Sequence, residues 1–160
     1  MAVDMFMKLD GISGESKDGK HGGEIDVLAW SWGMSNSGTT HTGGGGGAGK
    51  VNVQDISFTK WVDLASTPLM LACAKGKHIG EATLVVRKAG DEPLEYITIV
   101  MTDVIVTSVQ TGGSGGEDRL TENVTLNFAE VTVNYKEQAK TGADAGGVDF
   151  KWNIAANTPK

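Results

Sequence analysis

Apolar and polar side chains alternate with a period of two along most of the chain, the mark of strands that bury one face. Val3, Met5, Met7 and Leu9 share a face, with Asp4 and Lys8 opposite. Within residues 24–34, Leu28, Trp30, Trp32 and Met34 share a face, with Leu28, Trp30 and Trp32 predicted to lie in the core, while Ala29, Ser31 and Gly33 form a small, uncharged one. Residues 51–61 read as a third strand, and the change of phase between Val53 and Ile56 predicts a bulge. Residues 81–88 and 94–110 flank the turn signal Ala-Gly-Asp-Glu-Pro and are predicted to pair as a long hairpin. Leu120, Val124, Leu126 and Phe128 then alternate with Thr121, Asn123, Thr125 and Asn127, and a last strand sets Val148, Phe150, Trp152 and Ile154 against Asp149, Lys151 and Asn153.

One segment departs from this rhythm. Ser66 or Thr67 can cap a helix, Pro68 suits its first turn and Gly76 its end. Leu69, Met70, Leu71, Ala72, Cys73 and Ala74 are apolar on every side, which predicts a buried helix. The expected fold is mainly β: a single domain over residues 1–160, an antiparallel β-barrel of two packed sheets with one short flanking α-helix.

Composition narrows the function classes. A net charge of −6, with Lys and Arg scattered beside acids, argues against a nucleic-acid partner. No apolar run approaches the length of a membrane helix, so no membrane insertion is expected. The first residues lack a basic and then apolar leader, and a lone Cys73 needs no oxidising compartment. The chain is expected to fold in the cytoplasm and, if exported, to leave by a route that does not read signal peptides. Ten of the 23 glycines fall in two runs, residues 43–49 and 112–116, which predicts two flexible loops between well-patterned segments.

The first of these loops imitates a phosphate-binding loop. Gly44 to Lys50 fills G-x-x-x-x-G-K, but no buried strand precedes it, Val51 stands where a Ser or Thr should hold magnesium, and β pattern follows. Nucleotide binding is therefore not expected, and no cofactor is implied. His21, His41 and His78 are far apart without metal-ligand spacing and read as surface histidines. Glu117, Asp118 and Glu122 could form an acid/base pair or a calcium cluster. With Arg119 among them, ionic contacts at a loop root or subunit interface are the better reading. No catalytic set and no metal site stand out, and the chain is not expected to be an enzyme.

The second faces of the strands carry a further implication. Residues 96–101 are apolar on both parities, and the face of Ala29, Ser31 and Gly33 is small and uncharged. A lone barrel would show such faces to water, so a neighbouring copy is expected to cover some of them.

The blocks EIDVLAWSWGMSNSG, STPLMLACAKGKHI, ATLVVRKAG, TGGSGGEDRLTENVTLNFAEV and FKWNI, in this order and spacing, closely resemble the Hcp family of type VI secretion. The resemblance runs from Met1 to about Asn157 and includes the glycine run before Lys50. It implies a β-barrel with a flanking helix that forms six-membered rings. Stacked rings make the inner tube of a contractile injection machine, inside a sheath and under a VgrG spike, and small effectors ride in the lumen. On that reading, Ala29, Ser31, Gly33, Thr121, Asn123 and Thr125 are candidates for the lumen. Leu71, Tyr96, Ile97, Ile99, Glu117, Asp118 and Arg119 are candidates for subunit contacts, and Gly43, Gly44, Gly45, Gly46, Gly47 and Lys50 for contacts between stacked rings. The alternative is a monomeric β-barrel binding module for a small molecule or sugar, with a pocket lined by Trp30, Trp32, Trp61 or Trp152.

Overall fold

A computed structural model describes residues 3–40, 47, 49–90, 93–139 and 144–160. The elements in chain order are β1 (Val3–Leu9), β2 (Ile25–Ser31), β3 (Met34–Asn36), β4 (Val51–Val53), β5 (Ile56–Trp61), α1 (Ser66–Lys75), β6 (His78–Lys88), β7 (Leu94–Thr111), β8 (Thr121–Gln138), β9 (Asp144–Asn153) and β10 (Thr158–Pro159). Six strands close an antiparallel barrel in the order β8, β5, β2, β1, β6, β7, with β7 returning to β8. Closure leaves these strands no free edge over the paired stretch.

Alternation sends one side chain in two into the barrel. Met7, Ile25, Ile56, Phe58, Leu84 and Leu126 are all at 1% exposure or less. Each such burial stabilises the fold by roughly 1.5–3 kcal/mol before entropy is counted. β7 and β8 are longer than the barrel is tall. β5 pairs with β8 from Thr121 to Leu126, and β9 pairs with it from Glu130 onward, so the barrel continues into an open extension of β7, β8 and β9.

Three local expectations change. The stretch 51–61 is two strands: β4 pairs with β3 in a separate two-stranded ribbon, while β5 belongs to the barrel. A register shift between Val27 and Ala29 changes the phase inside β2, so Ile25 and Val27 point inward before it and Trp30 after it. Leu28, expected in the core, is 37% exposed for this reason. The helix lies against β7 and buries only Ser66, Leu69 and Ala72, leaving Leu71 55% exposed.

The ends of α1 follow their chemistry. Gly76 takes the left-handed conformation at φ 61°, and the Lys77 amide donates back to the Ala72 carbonyl at 3.0 Å. At the other end Ala65 is the cap residue, and its amide donates to the Asp63 carboxylate at 2.8 Å. Ser66 does not cap the helix. Its hydroxyl is committed to the barrel wall.

Candidate functional site

The outer face of β2, β5, β8 and β7 gathers neutral side chains from four separate segments. Across the strands, one row runs Ala29, Thr59, Asn123, Gln110, and the next runs Ser31, Ser57, Thr125, Ser108. Thr59 donates to the Asn123 side-chain oxygen at 2.6 Å, and the hydroxyls of Thr107 and Thr125 lie 2.7 Å apart. Thr121 belongs to the same face, opposite Trp61 in register. The lumen candidates of β2 and β8 thus lie on one surface, joined through Ser57 and Thr59 of β5, which the sequence reading did not single out. Gly33 lies beyond these rows, where its carbonyl accepts the Gln54 amide at 3.0 Å. Asp55 marks the far end, accepting from Thr107 at 2.8 Å and from the Asn127 amide at 2.9 Å.

The opposite face of the same strands holds a buried ionic cluster. Lys60 and Glu122, both fully buried, form an ion pair, and Lys60 also lies 2.9 Å from Asp63. The Ser66 hydroxyl donates to Glu122 at 2.5 Å and accepts the Asp63 amide at 2.9 Å. The first turn of α1 is thereby pinned to β5 and β8. A charged pair removed from water is strongly destabilised when one partner is lost. Lys60 escaped sequence reasoning because a lysine among alternating residues looks like a wet position.

Glu122 is therefore separated from Glu117 and Asp118, which lie exposed in the β7–β8 loop. The Arg119 guanidinium sits 4.4 Å from the Trp61 ring centroid, and these two line an open depression of about 410 Å³ with Glu117, Asp118 and Thr121. The acid/base arrangement considered for the three carboxylates is not formed. Among the described residues, no group of three or more His, Cys, Asp or Glu could hold a metal ion.

Apolar exposure concentrates in two places. The first is around α1, where Leu64 is 68% exposed beside Val62, Met70 and Leu71. The second is the extension of β7, β8 and β9. There the rows Met101–Val131–Trp152, Ile99–Val133–Phe150 and Ile97–Tyr135–Val148 run outward from the core. Met101 and Val131 are fully buried, whereas Tyr135 is 47% and Val148 70% exposed. Ile99 is buried within the single chain, so this contact candidate has nothing left to offer a neighbour. Tyr96 and Ile97 are half-buried, and the Lys88 ammonium lies 5.0 Å from the Tyr96 ring centroid.

Gly47 and Gly49 lie beside the two-stranded ribbon of β3 and β4. β3 and β4 pair from Met34 with Val53 to Asn36 with Val51, Thr39 bridges Gly47, and the Asn36 amide donates to the Gly49 carbonyl at 2.6 Å. A side chain at Gly49 would collide with Ser37. Gly43, Gly44, Gly45 and Gly46 lie outside the described residues, as does His41. Lys50 is exposed and leads into a strand, so no helix terminus is present to receive a phosphate.

The four tryptophans are dispersed. Trp30 and Trp32 pack partly against the core, Trp61 lies beside Arg119, and Trp152 stacks with Phe150. His78 is exposed and paired with Asp103 at 2.8 Å, as a surface histidine would be. His21 is not on the surface. It is 8% exposed and stacked on Phe6 between two glutamates.

The closed barrel thus carries a neutral face on β2, β5, β7 and β8 and apolar rows that the single chain leaves uncovered. The sequence profile of the family described as type VI secretion system effector, Hcp, matches residues 6–135, and the chain belongs to that family. It is 62% identical over 159 residues to the protein hcp1 of Pseudomonas aeruginosa, covering 98% of each chain. Among solved structures it is similar to a type six secretion system protein at TM-score 0.94 and 33% identity, over 99% of this chain and 100% of that one. It is also similar to Hcp1 from Salmonella typhimurium at TM-score 0.84 and 42% identity, over 100% of both chains. The family is one of structural secreted proteins and not of enzymes.

Proposed function

We propose that this chain is the ring subunit of a type VI secretion inner tube, six copies closing around a lumen lined by the neutral face of β2, β5, β7 and β8. The observation that carries this reading is the pairing of two surfaces on one barrel. One is uncharged and rich in hydroxyls and amides, from Ser31 to Thr125; the other exposes Leu64, Leu71, Tyr135 and Val148. The apolar surface suits burial against a neighbour, and its two parts differ in shape and sequence. A contact in which one part meets a different part is heterologous, and it closes into a six-membered ring when successive copies are related by a sixth of a turn. Rings then stack through the ribbon of β3 and β4 and the glycine-rich stretch that joins them in sequence, and small effectors travel in the lumen.

Within the secretion machine, the sheath around the tube and the VgrG spike on its end are the further partners. Assembly takes place in the bacterial cytoplasm, and the tube leaves with its cargo. Light scattering on the purified chain tests the reading against a monomeric binding module. A uniform species of six copies supports the ring; a monomer that gains affinity for sugars or small molecules at Trp61 replaces it.

A further inference from the structure

We propose that His21 is a proton-controlled strap: it ties the segment between β1 and β2 to the start of β7 and lets go when its ring becomes neutral. The imidazole is stacked on Phe6 of β1, with centroids 4.5 Å apart and planes at 13°. Nδ1 lies 2.8 Å from Glu24 and Nε2 lies 2.7 Å from Glu95. Only the imidazolium has two N–H donors, so only the charged ring satisfies both carboxylates. A neutral ring turns a lone pair toward one of them, and that contact must open.

The structure indicates which one opens. Glu24 is three residues from His21 on the same segment, and its side chain is 15% exposed. Glu95 belongs to β7 and is 36% exposed, so it can turn into water at small cost. Burial works against the charged ring, but the hydrogen bonds to Glu95 and Glu24 outweigh it and hold the imidazole above the ordinary histidine value. The aromatic face of Phe6 also favours a cation.

The other charges around His21 form a second tie that protons leave alone near neutrality. Asp18, on the same segment, accepts the His21 amide at 3.1 Å and the Lys20 amide at 3.0 Å. Its carboxylate is held by Arg87 of β6 at 2.7 Å, and Arg87 also reaches Asp4 of β1 at 3.1 Å. Arg87 keeps Asp18 well below the usual carboxylate range, so this tie stays ionised wherever His21 titrates. Deprotonation therefore opens one strap of two, freeing the Glu95 end while Asp18 still anchors the segment.

The test is a titration of the ¹³C-labelled histidine rings by NMR in the full chain, with wild type and Glu95→Gln side by side. His41→Asn and His78→Asn together assign the three histidine signals. The strap predicts that His21 titrates above the ordinary range in wild type and lower in Glu95→Gln. It also predicts that the Gly23 amide, bonded to the Ser16 carbonyl and corrected for intrinsic exchange, loses protection as the wild-type ring deprotonates. A His21 midpoint at or below the ordinary value, the same midpoint in both proteins, or unchanged protection across the titration would each overturn it. The wild-type titration decides on its own if Glu95→Gln folds poorly.

Discussion

The two halves of β8 obey the same alternation and end in different places. From Thr121 to Phe128 the even positions face a closed barrel, and Glu122, Val124, Leu126 and Phe128 are all buried. From Val131 onward the apolar positions are odd, and their cover fades from Val131, fully buried, to Tyr135, 47% exposed. The first half lies between β5 and β7, which curve round to meet β1, β2 and β6. The second half lies between β7 and β9, beyond the stretch that pairs with β5. Period-two patterning thus reports which face is apolar, while closure of the sheet decides whether that face is dry.

The sharpest way to break this comparison is inside the first half. Lys60→Met leaves Glu122 and Asp63 without their cation and should cost about 3–5 kcal/mol in denaturant unfolding. Lys60→Met combined with Glu122→Leu removes both charges of the pair and should recover most of that loss. If the single and double variants were equally unstable, the ionic cluster would not be what pins α1 to the barrel.

A second contrast sets Ile99 against Val148. Asp at Ile99 buries an unpaired charge within one chain and should prevent folding or destabilise it by several kcal/mol. Asp at Val148, 70% exposed, should change the stability of the isolated chain by no more than about 0.5 kcal/mol yet abolish ring formation in native mass spectra. Rings that survive Val148→Asp unchanged would remove the β9 end from the proposed contact.

On the neutral face of the first half, Ser31→Gln should leave folding and ring size unaltered, because Ser31 is exposed and adds no core contact. It should lower the amount of co-expressed small effector that purifies with the ring. Equal recovery with Ser and Gln would argue that cargo does not meet this face.

The strap predicts a pH dependence. The Asp18 contribution is complete above its unfolded value near 3.8 and lost as pH falls below it. The His21 contribution is complete below the unfolded value of 6.5 and lost as pH rises through the raised folded value. These two groups therefore stabilise the fold together between pH 3.8 and 6.5. Unfolding free energy followed by denaturation at pH 6 and pH 9 should show a loss at the higher pH that disappears in His21→Phe.

The smallest expected effect is that of salt. Each copy carries a net charge of −6, so stacked rings repel, and the range of that repulsion shrinks from about 30 Å at 0.01 M salt to about 8 Å at 0.15 M. Sedimentation should show stacking improve as salt rises. Stacks that dissolve on adding salt would mean that oppositely charged ring faces outweigh the net charge.

Much of the fold was legible because strands that bury one face must alternate: the long β6–β7 hairpin, β8, β9 and the stop at Gly76 follow directly. What was not legible depended on the third dimension. A register shift at Val27 turned Leu28 outward, and no composition signal marks it. Ile99 looked uncovered because both parities near it are apolar, yet it is 1% exposed within the single chain. Lys60 and His21 look wet as single polar residues, and the partners that tie each of them across the fold, Glu122 and Glu95, lie 62 and 74 residues away in the chain. The neutral face was legible in pieces, as Ala29 and Ser31 in one strand and Asn123 and Thr125 in another. Only the register of β5 between them makes it a surface.

The central claim, that one barrel carries a lumen face and a contact face on the same strands, is tested most directly by electron cryomicroscopy of the assembled protein at side-chain resolution. The account predicts six-membered rings with Ser31, Ser57, Asn123 and Thr125 around the central opening, and Leu71 and Val148 packed against neighbouring copies. Ser31 and Thr125 on the outer wall, or Leu71 and Val148 both in water, would contradict it.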